Sequence, residues 1–141
     1  MTATETAVKS VTLNGLSVLV VEDESIISMM VESMLAELGC DDVWYASSVA
    51  EALEMLAERT PDAAVLDVNL AGEPAYPVAR RLAAGAVPFI FATGYGAGGI
   101  SPEWVSRPVI QKPFHSEMLA FALASALHAG SASGKEPMRP T

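Results

Sequence analysis

The feature that most constrains this chain is a recurrence: a short apolar run, a polar residue at its end, and then a helical stretch. Residues 16–21 (LSVLVV), 63–67 (AAVLD) and 87–92 (VPFIFA) are continuous apolar segments, and weaker ones lie at 43–45 (VWY) and 109–111 (VIQ). Runs of this length without alternation suit strands buried on both faces. Between them, Ile27, Met30, Val31, Met34 and Leu38 recur at helical spacing until Gly39 supplies a stop. Ser48 with Glu51 reads as a capping box opening a helix that turns Val49, Leu53 and Leu56 inward. Residues 77–84 make a short helix that tolerates Pro77 in its first turn, and 116–129 a strong final one. The glycine-rich stretch 94–108, with two prolines, permits only a short or irregular helix. Five strands alternating with helical segments predict an α/β domain: a parallel sheet with helices on both faces.

In such sheets ligands bind beyond the carboxyl ends of the strands. Glu22 and Asp23 follow the first strand, Asp67 ends the third, Thr93 ends the fourth and Lys112 ends the fifth. These residues are therefore expected to converge on one rim. Carboxylates crowded there take up protons or are neutralised by a cation, and Mg²⁺ suits hard oxygen ligands while keeping waters that a phosphate can replace. Asp67 is then the candidate nucleophile, since a carboxylate can hold a phosphoryl group as an acyl phosphate. Lys112 offers a fixed positive charge to the phosphoryl oxygens and Thr93 a hydroxyl donor.

Composition narrows the partners. The 141 residues are 51% hydrophobic, enough for one domain with a real core. Seventeen acidic against eight basic residues give a charge of −9, which argues against nucleic acid as a partner. The single cysteine, Cys40, excludes an internal disulfide and a cysteine-rich zinc site. Residues 1–15 lack a signal-peptide pattern, and no apolar run approaches the roughly 20 residues that span a bilayer, so a cytoplasmic protein away from membranes is expected. The expected organisation is a flexible segment over 1–14, a domain over 15–129, and a disordered Gly/Ser/Pro tail over 130–141.

The acidic pair in VVEDE, the aspartate in VLDVNL, the threonine in FATGYG and the lysine in QKPF fall in one order along the chain. In that order they resemble the receiver domains of two-component response regulators. The resemblance implies a CheY-like, flavodoxin-like sheet of strand order 2-1-3-4-5, with Asp67 accepting a phosphoryl group from a histidine kinase. It also implies Mg²⁺ held by the side chains of Asp23 and Asp67 and the backbone carbonyl of Asn69, with Glu22 behind them. The chain would be a stand-alone receiver that signals by protein contact, without an output domain and without being an enzyme beyond slow loss of its own phosphate. The wording FATGYG and QKPF is similar to the FATGUY subgroup, which implies a sensor kinase of HWE type, or a phosphotransfer protein, as partner. Receivers commonly carry an aromatic three residues before the lysine; here that position is Val109. Tyr95 and Trp104 are the residues expected to share the switch and partner surface with it.

Other readings weaken on inspection. Residues 94–99 (GYGAGG) match a dinucleotide fingerprint letter for letter, yet Ile100-Ser101-Pro102 follows where a helix is required. A phosphatase of the haloacid dehalogenase type needs a general acid two residues after the aspartate, and Asn69 cannot supply a proton. A receiver-like binding module independent of phosphorylation has no need of the intact aspartate, hydroxyl and lysine. His115 and His128 fit helix ends rather than metal ligation, and Trp44 fits packing. The broad apolar face of the last helix, which includes Met118 and Phe121, leaves a monomer or a weak homodimer open. Lys112-Pro113 is expected to be cis.

Overall fold

The computed structural model describes residues 13–70, 72–94 and 100–135, with side chains to residue 129. Its strands are β1 (Ser17–Val21), β2 (Asp42–Ala46), β3 (Ala63–Asp67), β4 (Phe89–Thr93) and β5 (Val109–Gln111). They form one parallel sheet in the order β2-β1-β3-β4-β5. The helices are α1 (Ser25–Glu37), α2 (Val49–Glu58), α3 (Tyr76–Ala84) and α4 (Ser116–Lys135). A two-residue ribbon, Asn69–Leu70 against Glu73–Pro74, follows β3, and a 3-10 turn at Pro102–Trp104 lies where a fourth crossover helix would stand. This is the CheY-like receiver fold.

Because side chains alternate along a strand, the sheet divides its residues between two cores. Leu19, Val21, Leu66, Phe89 and Phe91 pack with α2, α3 and Trp104. Val18, Val20, Val65, Ile90 and Ile110 pack with α1 and α4. The Ser48 hydroxyl caps α2 by accepting from the Glu51 amide at 3.1 Å, while Glu51 reaches back one residue further than a capping box requires, to the Ser47 amide at 2.7 Å. Gly39 closes α1 at φ +96, where a Cβ would come within 2.7 Å of the Asn14 side chain and 3.2 Å of its Cα, so only glycine fits.

Three details depart from the sequence reading. On α1, Leu35 is fully buried and Met30 is exposed, because the helix is apolar around most of its girth and tertiary contact alone selects the buried stripe. Leu13, inside the segment expected to be flexible, is buried against the α1–α4 core, and the Gly15 amide donates to the Gly39 carbonyl at 2.8 Å to fix the chain there. Finally, α4 continues to Lys135, beyond the expected end at residue 129.

Candidate functional site

The parallel register brings the polar strand ends to one rim. Val21 lies beside Leu66, Asp67 beside Ala92 and Thr93 beside Gln111, so the residues that close β1, β3, β4 and β5 meet within a few residues of one another. They line a crevice of about 710 Å³ that includes Asp23, Asp67, Asn69, Tyr76, Thr93 and Lys112. Carboxylate oxygens of Glu22, Asp23 and Asp67 lie within 4.8 Å of one another. Among the described residues this is the one acidic group of its kind. The Lys112 Nζ enters it, 3.0 Å from Glu22 Oε1 and 3.2 Å from Asp67 Oδ2.

Burial makes this arrangement electrostatically tense. Glu22, Asp67 and Thr93 are buried, whereas Asp23 is half-exposed. Loss of solvent pushes Glu22 up to about 6, and the charge of Asp67 adds to that against the hydrogen bonds from Lys112 and the Glu24 amide. Burial opposes the charge on Lys112 too, but its bonds and attraction to Glu22 and Asp67 outweigh it and hold the ammonium above its ordinary value. One lysine among three carboxylates leaves negative charge in excess, so the donor set fits a divalent cation with hard oxygen preferences. Asn69 lines the same crevice. Its amide oxygen is occupied in accepting from the Gly72 N–H at 2.9 Å, and with the Ala75 N–H donating to the Val68 carbonyl at 2.9 Å the Asn69–Pro74 pair is one whose backbone groups do not bond to each other. The Asn69 N–H in turn donates to Asp67 Oδ1 at 3.3 Å. The Lys112–Pro113 peptide is cis.

Residues 18–124 match the model of the response regulator receiver domain. The chain belongs to that family. It is similar to the solution structure of SdrG from Sphingomonas melonis Fr1, with 44% identity over 80% of this chain and 97% of that one, at a TM-score of 0.73. The BeF3-activated conformation of SdrG from Pseudomonas melonis Fr1 aligns at 43% identity and a TM-score of 0.70, over 80% and 98% of the two chains. The PhyR stress response regulator aligns at 30% identity and 0.74 over 92% of this chain, but only 51% of its own length is covered. The comparison with curated proteins finds no match. Receivers are phosphoacceptor signalling modules rather than enzymes in the ordinary sense, and they exchange phosphoryl groups with histidine kinases or phosphotransfer proteins.

The expected switch residues separate. Val109 is half-buried against the Phe91 side of the core. Tyr95 lies outside the described residues. Trp104 packs in the core and does not stand on a partner surface: it is buried, its ring 5.8 Å from Phe89 and 6.3 Å from Phe91, with the Arg107 guanidinium 4.3 Å over Phe89. The 3-10 turn folds the indole under the chain, which no local pattern announces. Trp44 is a packing residue, as expected, with Arg59 stacked at 3.5 Å. His115 and His128 are exposed and lie outside the acidic group. The sequence reading missed Tyr76, which walls the crevice and reaches Ser101, twenty-five residues on.

Proposed function

We propose that this receiver accepts a phosphoryl group on Asp67 from a histidine kinase, of HWE type by its FATGYG wording, or from a phosphotransfer protein, and that it signals through protein contacts of its own surface. The observation that carries this reading is Lys112 held 3.2 Å from Asp67 and 3.0 Å from Glu22 at the mouth of an open crevice, with Thr93 at the end of the adjacent strand. An Asp67 carboxylate oxygen attacks the phosphorus of a phosphohistidine; the P–N bond breaks, and the imidazole leaves with the electron pair and later takes a proton. Lys112 balances charge on the transferred oxygens, and the Thr93 hydroxyl donates to one of them. Asp23, Asp67 and the Asn69 carbonyl would hold Mg²⁺, with Glu22 behind them; when bound, the ion supplies charge neutralisation for the phosphoryl oxygens.

The donor must cover the surface flanking the crevice to bring its histidine to Asp67. The start of α1 suits that role: Ile26 and Met29 are 72% and 65% exposed beside the acidic rim, and an apolar hollow of about 300 Å³ lies between α1 and Lys112-Pro113-Phe114. Methionine side chains adapt to a partner at little cost. Incubation with Mg²⁺ and acetyl phosphate is expected to give a hydroxylamine-sensitive adduct of one phosphoryl group, absent in Asp67→Ala. An adduct that survives that substitution would place the acceptor elsewhere.

A further inference from the structure

Receivers that carry an aromatic before the lysine have a ring at the place of Val109, and here the aromatic mass is distributed differently. Phe89, Phe91 and Thr93 alternate onto one face of β4, so the site threonine stands at the end of an aromatic column. Tyr76, at the start of α3, packs edge-on against Phe91 with centroids 6.3 Å apart and walls the same crevice as Asp67 and Thr93. Its hydroxyl oxygen accepts from the Ser101 N–H at 2.9 Å. Ser101 in turn accepts from Trp104 N–H at 2.9 Å and so begins the turn that seats the indole on Phe89 and Phe91.

Resting on the phosphoacceptor reading above, we propose that Tyr76 is a positioning residue: its bond to Ser101 holds the 3-10 turn at Pro102–Trp104 in the unphosphorylated arrangement and yields when Asp67 is phosphorylated. A phosphoryl group on Asp67 enters the crevice that the Tyr76 ring walls, and the Thr93 hydroxyl turns toward it from the head of the aromatic column. The first of these acts at the Tyr76 end of the hydrogen bond, and Phe91, two residues before Thr93, is the ring against which Tyr76 packs. A bond present in only one of two states biases the equilibrium by its own net worth, and its removal favours the other state by the same factor.

The test uses the full chain in a Trp44→Phe background, where Trp104 emission alone is followed while beryllofluoride is added with Mg²⁺. Tyr76→Phe keeps the ring and removes the acceptor, so the beryllofluoride midpoint falls about fivefold, the ordinary worth of one hydrogen bond. Ser101→Pro removes the donor at a residue whose φ of −60 proline adopts, and lowers the midpoint by an independent route. In the Tyr76→Phe protein, adding Ser101→Pro lowers the midpoint no further, since the bond is already absent. An unchanged or raised midpoint in the single variants, or additive falls in the double, overturns the role of this bond while leaving the phosphoacceptor reading intact. Parent protein that takes up no beryllofluoride overturns both.

Discussion

The two faces of the sheet are built from different materials. On the α2–α3 face, Phe89, Phe91, Trp104 and Tyr76 make a run of edge-on rings that ends at the crevice. On the α1–α4 face the same strands present Val18, Val20, Val65 and Ile90 to Leu35, Leu119 and Leu123. Branched aliphatic side chains pack densely, and displacing one opens a void. Edge-on rings carry orientation, so moving one obliges its neighbour to move as well. One face therefore holds the domain together, and the other runs in ring contacts from the crevice wall at Tyr76 to the 3-10 turn at Trp104.

Two substitutions on adjacent residues separate these roles. Phe91→Ala and Ile90→Ala each empty a fully buried position and should cost about 3–5 and 2–5 kcal/mol respectively by denaturant midpoint. Phe91→Ala alone should also shift the beryllofluoride midpoint read at Trp104. Equal shifts from both would mean that the aromatic face has no special part in coupling.

The rim itself predicts the next effect. Lys112→Met keeps the stem and removes the charge, leaving Glu22 and Asp67 facing each other; a loss of about 2 kcal/mol in metal-free protein is expected, below the cost of breaking a fully buried pair because Lys112 is 17% exposed. Low pH should recover most of that loss, since a protonated Glu22 no longer repels Asp67.

In the parent protein the pH dependence has a definite sign. Glu22 is pushed up to about 6 from 4.5, so the folded state binds its proton more tightly than the unfolded one. Its contribution is favourable below about pH 4.5 and is lost as pH rises through 6, by about 2 kcal/mol at most in metal-free protein. A cation held by the rim offsets that loss, so the rise in Tm caused by Mg²⁺ should be larger at pH 7.5 than at pH 5. An increment of equal size at both values would show that Glu22 does not feel the ion.

What could be read from sequence follows the same division. Asp67, Thr93 and Lys112 were legible because each closes an apolar run, and a parallel sheet brings such ends together whatever the details of packing. Tyr76 was not, since its partner Ser101 is distant in sequence and the bond uses a backbone amide, which leaves no residue signature. The burial of Trp104 was not legible for a related reason: composition marks 94–108 as irregular, while its burial depends on rings supplied by β4. On α1, apolar residues on both sides of the helix left periodicity unable to choose between Met30 and Leu35.

The smallest effect is also the sharpest control on the comparison. Ser48 caps α2 on the aromatic side of the sheet, and its hydroxyl accepts from the Glu51 amide. Ser48→Ala should cost about 1 kcal/mol, the usual worth of a lost cap, measured as a fall in the denaturant midpoint. Yet α2 meets the sheet through Val49, Ala52 and Leu56, and none of these joins the ring contacts that run from Tyr76 to Trp104. The beryllofluoride midpoint should therefore stay where it is in the parent protein. A shift as large as that of Tyr76→Phe would mean that any loosening of this face reaches the turn that carries Trp104, and the link would then belong to the face as a whole rather than to one column of rings and one hydrogen bond.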